Sequence, residues 1–80
     1  MIMNKKQAQK ISDKIVTSLR KQRLGKGISQ YKVAKETGIS KSSIAYIEAH
    51  QQRPTLYTLL MIADYLKVNL SDIIKQFENK

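Results

Sequence analysis

Residues 30–49 read QYKVAKETGISKSSIAYIEA, and this stretch decides the fold. Gln30–Thr37 forms a short helix. Ser29 caps its start, because a serine oxygen can accept from a backbone N–H of the first turn. Gly38 supplies the left-handed residue that ends it. Val33 and Ala34 share one face, and the small Ala34 permits close approach of a neighbour. Ile39 then plugs the turn, and Ser40 caps a further helix over 41–49 with Ile44 and Ile47 on its inner side. Two short helices crossing at roughly 90–120° over a tight turn need these features together. The second of the two presents Lys41, Ser42, Ala45, Tyr46 and Ala49 outward. Only Lys41 among them is charged and two are alanines, which suits a helix entering a groove about 12 Å wide. An idle solvated face would carry Glu–Lys pairs.

Upstream, Ala8, Ile11, Ile15, Val16 and Leu19 follow helical spacing and form one stripe. Asn4 with Gln7, or Ser12 further on, caps this first helix, and it ends before Gly25-Lys26-Gly27. Downstream, residues 50–54 are a polar loop, and Thr55 caps a helix over Leu56–Leu66. Its expected buried face is Leu56, Leu59, Leu60, Ala63 and Leu66. Asn69 with Asp72 resembles a capping box opening a last helix, Leu70–Phe77. No stretch alternates with period two, so the pattern predicts an all-α, compact five-helix bundle. Residues 13–80 make a single domain and residues 1–12 an N-terminal extension. That extension is an arm, a continuation of the helix, or a second dimer surface.

The chain has 80 residues, 15 Lys+Arg against 6 Asp+Glu, and a net charge of +9. Residues 1–35 hold ten Lys/Arg and one acid, Asp13, whereas 36–55 and 56–80 are each neutral. Such asymmetry asks for nucleic acid or an acidic surface, or else marks a lysine-rich face kept for solubility. There is no Cys, which excludes a disulfide framework and a Cys-ligated zinc. One His and scattered carboxylates leave no expected metal or cofactor. Neither a Ser/His/Asp set nor paired carboxylates can be found, and Gly25-x-Gly27 is a loop between helices, so no enzyme is expected. Met1-Ile2-Met3 runs at once into Asn4-Lys5-Lys6 without an apolar signal core. The longest strictly apolar run, 59–63, is far short of the ~20 residues that span a bilayer. A cytoplasmic protein with no membrane association is expected.

The sequence resembles the lambda-repressor/Cro-like helix-turn-helix family, the XRE family. Gly27-Ile28-Ser29-Gln30, Val33-Ala34, Gly38-Ile39-Ser40, Ser43-Ile44 and Ile47-Glu48 carry the likeness. Arg53-Pro54-Thr55-Leu56, Leu59-Leu60, Ile62-Ala63 and residues 66–70 continue it, over about residues 13–75 in all. The resemblance implies a five-helix domain that binds double-stranded DNA, is usually dimeric and regulates transcription. Three features depart from the family pattern, the first being residues 1–12, which extend beyond the usual start of the domain. Thr37 replaces an aliphatic residue and is expected to loosen the turn. Lys67 replaces a glycine, where a left-handed backbone would cost on the order of 1 kcal/mol.

The resemblance also assigns roles. Lys41 and Ser42 open the recognition helix and reach base edges, with Ala45 and Tyr46 one turn on. Lys41 can donate to guanine O6 and N7, and Tyr46 can touch a thymine methyl or a phosphate. Gln30, Ser40, Ser43, Arg53 and Lys26 are expected phosphate contacts, Ser40 being first of all a cap. Arg20, Lys21, Lys32 and Lys35 thicken the positive field. Arg23 and Glu48 match a structural pair that ties the first helix to the end of the recognition helix. From their apolar character at the end of the last helix rather than from the resemblance, Ile74 or Phe77 is the expected dimer contact, or else simply closes the small core. His50 receives no role.

The expected function is sequence-specific regulation from an inverted-repeat operator by a homodimer. Repression by blocking polymerase is the default, and activation through RNA polymerase is the variant seen in controller proteins of restriction–modification systems. The alternative is an antitoxin- or controller-type module whose main task is binding a partner protein, a toxin or polymerase, with DNA binding secondary. No small-molecule ligand is expected.

Overall fold

In the computed structural model, which describes residues 3–77, five helices follow one another: α1 (Lys5–Gly25), α2 (Gln30–Thr37), α3 (Lys41–Glu48), α4 (Leu56–Leu66) and α5 (Leu70–Phe77). Met1, Ile2 and residues 78–80, the outer ends of the extension and the domain, lie outside the described residues. No strand occurs among the described residues, and the fold is all-α. None of these helices is long and apolar enough to cross a membrane.

Four helix starts are capped by side chains that sequence chemistry marks out. Asn4 opens α1 in a reciprocal box, its Oδ1 accepting from the Gln7 N–H at 2.8 Å while Gln7 Oε1 accepts from the Asn4 N–H at 3.0 Å. The helix then runs unbroken past Ser12, so residues 5–12 are its first two turns. Ser29, Ser40 and Thr55 each accept from the N–H three residues on, at 3.0, 3.1 and 3.1 Å. The start of α5 differs from expectation. Asn69 Oδ1 accepts from the N–H and hydroxyl of Ser71, at 3.0 and 2.6 Å, and Asp72 takes no part through its side chain.

The helix ends follow one scheme. After α1, α3 and α4 the chain turns through a left-handed residue, Gly27 (φ 68°), His50 (φ 62°) and Lys67 (φ 61°). In each case the next N–H reaches back five residues: Ile28 to the Arg23 carbonyl at 3.1 Å, Gln51 to Tyr46 at 2.8 Å, Val68 to Ala63 at 2.9 Å. These are Schellman turns, and they satisfy carbonyls that the helix ends leave open. Gly38 (φ 80°) ends α2 with a single bond to the Ala34 carbonyl. Thr37 braces this turn rather than loosening it. Its hydroxyl donates to the Val33 carbonyl at 2.7 Å and accepts from the Ile39 N–H at 3.3 Å.

Ile15, Leu19, Val33, Ile44, Ile62, Ala63, Leu66, Leu70 and Ile73 form the central cluster, drawn from all five helices. Val16 and Ile47 are buried beside it. Each aliphatic side chain so buried contributes about 1.5–3 kcal/mol before chain entropy is set against it. Three expected core positions stay outside. Ala8 is exposed on the first turns of α1, and Leu56 and Leu60 on α4 are 63% and 50% exposed. The buried face of α4 is instead Ile62, Ala63 and Leu66, with Leu59 packed alongside. Since α4 carries apolar residues on nearly every position from 56 to 63, more than one stripe satisfies helical spacing.

Candidate nucleic-acid interface

α3 is tied to its neighbours through one half-buried carboxylate. Arg23 on α1 is only 7% exposed, and it meets Glu48 at the end of α3 with two parallel bonds of 2.8 Å, Nε to Oε2 and Nη2 to Oε1. Its remaining nitrogen, Nη1, donates to the Ile28 carbonyl at 2.7 Å. A guanidinium fork matched to a carboxylate fixes orientation as well as distance. Gln30, at the start of α2, adds a third donor: its Nε2 lies 2.9 Å from Glu48 Oε1. Arg20 Nε stands 3.7 Å from the same oxygen. Glu48 therefore ties α1, α2 and α3 together. Among the described residues, no buried side-chain nitrogen or oxygen lacks a hydrogen-bond partner.

Burial alone would push the Glu48 carboxyl up, since a desolvated charge is disfavoured. Hydrogen bonds from Arg23 and Gln30, with the charges of Arg23 and Arg20, outweigh that and hold it below the ordinary carboxylate value. The group is thus ionised in the folded state around neutral pH, as the fork requires.

Held this way, α3 turns Ile44 and Ile47 inward and leaves Lys41, Ser42 and Tyr46 exposed. Ala45 and Ser43 are half-buried, and the Ser43 N–H is engaged by Ser40 Oγ. Among the described residues no ion pair lies on this face, whereas the outer side of α2 carries one, Lys32 to Glu36 at 3.5 Å. Lys26 and Arg53 are exposed on the loops before α2 and after α3. Gln30 is half-buried and points its amide at Glu48, an engagement the sequence reading did not foresee.

His50 was given no role from sequence, yet it joins the end of α3 to α1. Its Nδ1 is 3.4 Å from Asp13 Oδ1, and its Nε2 is 3.3 Å from the Thr17 hydroxyl. A polar cleft lined by Gln9, Asp13, His50 and Arg53 opens beside it. Thr17 is 33 residues away in sequence and Asp13 farther still, so no local signal announces them.

A family model described as helix-turn-helix matches residues 19–73, more than half of the chain. The chain belongs to the XRE (Cro/C1-type) helix-turn-helix family. It is accordingly a member of a family of DNA-binding transcription regulators. No curated protein and no solved structure gives a significant match. The match begins inside α1, at Leu19, and takes in Arg23, Gln30, the whole α2–α3 unit and Glu48. In this helix-turn-helix domain the Glu48 cluster holds α3 against α1 and α2.

Proposed function

We propose that the protein is a sequence-specific transcriptional regulator that occupies an inverted-repeat site on double-stranded DNA as a homodimer, acting as a repressor in the cytoplasm. Lys41 and Ser42 are the first base readers, with Tyr46 and the small Ala45 one turn on. Ser40, Ser43, Arg53 and Lys26 contact phosphates, which position the domain without distinguishing bases. Gln30 meets a phosphate with the part of its amide that Glu48 does not engage.

The observation that supports this reading most is the unpaired, acid-free outer face of α3 on a helix braced by Glu48. A helix that must read hydrogen-bonding edges needs exposed donors whose positions are fixed by packing behind them. The net charge of +9, concentrated in residues 1–35, supplies the attraction to phosphate that brings the two together.

The test is selection of bound duplexes from a random double-stranded library by the full chain. The expected product is an inverted repeat with half-site centres about 10 bp apart, one turn of the duplex. A pool without any motif, together with binding that merely weakens with salt, would overturn the reading and leave charge alone at work.

A further inference from the structure

Between α1 and α5 lies an open groove of about 530 Å³, within the size range of small-molecule sites. Its walls come from opposite ends of the chain, residues 10–21 and Gln76-Phe77, so no sequence motif announces it. Lys10, Lys14 and Lys21 stand about one and then two turns apart on the exposed side of α1. No ion pair among the described residues engages them. Asp13 is the one acid in the lining, and its Oδ1 is 3.4 Å from His50 Nδ1. Phe77, which packs against the core as Ile74 does, leaves part of its ring in the groove. Lys14 Nζ lies 5.9 Å from the centre of that ring. The hydroxyls of Thr17 and Ser18 and the amide of Gln76 add donors and acceptors.

We infer that this groove binds a mononucleotide, a phosphate monoester joined to hydroxyls and a flat ring. Three ammonium groups and one carboxylate leave a net charge of about +2, and a phosphate monoester carries about −1.5 to −2 at neutral pH. Lys10 and Lys14, neighbours on one side of the helix, can close on a single phosphate. Charge alone would accept any anion, and Phe77 narrows the choice. An aromatic wall beside the ammonium favours an anion attached to a planar body. Two hydroxyls and an amide on the same walls match the polar groups of a sugar.

A duplex fits this place less well. α5 packs on α1 and α4 and on neither α2 nor α3, so this wall stands apart from the helix pair that carries the proposed reading face. The occupant does meet Asp13 and Thr17, the residues through which α1 contacts His50 at the end of α3. The inference goes beyond the DNA reading and does not depend on it.

The test is a heteronuclear NMR titration of the full chain, without DNA, with AMP, GMP, CMP and UMP in turn. Inorganic phosphate and the free nucleosides serve as controls for charge and ring alone. At least one nucleotide is expected to bind about tenfold or more tightly than either control, with amide shifts centred on residues 10–21 and 76–77. Lys14→Gln is expected to weaken it about tenfold, and Phe77→Leu to reduce it to the level of inorganic phosphate. Lys75→Gln, an equal change of charge on α5 outside the groove, should leave binding unchanged. Thermal unfolding confirms the fold of each variant, and Lys14→Gln, at an exposed side chain, keeps the test decisive should Phe77→Leu fail to fold. Nucleotides that bind no better than inorganic phosphate, shifts centred elsewhere, or equal losses in Lys14→Gln and Lys75→Gln would each overturn the inference. A Lys14→Gln chain that loses affinity for a selected duplex while no nucleotide binds would also overturn it, and would assign this face to DNA.

Discussion

The outer faces of α3 and α4 are both open to solvent, are separated by one short loop, and are built on opposite chemistry. On α3 the exposed groups are an ammonium, a hydroxyl and a phenol, interleaved with alanines. On α4 they are two leucines and a tyrosine with no charge until Asp64. Exposed polar groups keep their hydrogen-bonding capacity for a partner that presents edges, whereas exposed apolar groups gain only by leaving water. One face thus offers hydrogen-bonding groups to a partner, and the other offers mainly apolar surface. What makes the division possible is that each helix satisfies its core obligations with only part of its circumference: Ile44 and Ile47 in α3, Ile62, Ala63 and Leu66 in α4.

The strongest way to break the comparison is to remove the brace behind the reading face. Glu48→Ala leaves the Arg23 guanidinium buried without its carboxylate, and loss of one partner of such a pair costs about 3 kcal/mol. For a domain of this size the melting temperature should fall by about 10–20 °C. Circular dichroism against temperature measures it, with Leu60→Asp, on the solvent side of α4, expected to stay within about 3 °C of wild type. Acid acts on the same group. Because the Glu48 carboxyl is held below its unfolded value of about 4.5, its contribution is present above that pH and is lost as pH falls through the lower folded value. Glu48→Ala should flatten that acid limb of the stability curve, and denaturant titrations at several pH values would show it.

That brace also illustrates how much could be read in advance. Arg23 and Glu48 were expected as a pair only through family resemblance, and the structure supplies the geometry. The five helices, the caps at Ser29, Ser40 and Thr55 and the turn at Gly38 were legible because caps and left-handed glycines act within a few residues. What escaped depends on distance or on choice among equivalents. His50 finds Asp13 and Thr17 on a helix far away in sequence. The choice of Ile62 over Leu56 and Leu60 as core on α4 is made by the helices packed around it, since local spacing allows either. Thr37 was misjudged because its hydroxyl serves the backbone, which a comparison of apolar patterns does not reveal.

A gentler probe touches the reading face alone. Lys41→Ala is expected to weaken binding to a selected half-site about 10–100-fold with no change in melting temperature, as loss of a specific base contact does. Fluorescence anisotropy with a labelled duplex provides the number. Arg53→Ala, by contrast, should weaken all sequences alike and reduce the steepness of the salt dependence by about one counterion. A Lys41→Ala chain that loses affinity equally for every sequence would erase the distinction between base reader and phosphate contact.

The smallest effect compares two left-handed helix ends. Lys67 (φ 61°) and His50 (φ 62°) both carry the strain of a side chain in that conformation. Lys67→Gly should raise stability by about 0.5–1 kcal/mol, the relief of strain being partly offset by a freer unfolded chain. His50→Gly should raise it less, because it also removes the contacts to Asp13 and Thr17. Equal gains at both sites would mean that the imidazole contributes nothing to the seating of α3.

The most direct test of the division between the two faces is to repeat the duplex selection with Lys41→Gln. Lysine donates to guanine O6 and N7, whereas glutamine pairs with adenine N6 and N7. The expected result is one altered position in each half-site, placed symmetrically about the dyad, with the spacing between half-sites unchanged. A motif identical to that of the wild-type chain would contradict the assignment of α3 as the reading face.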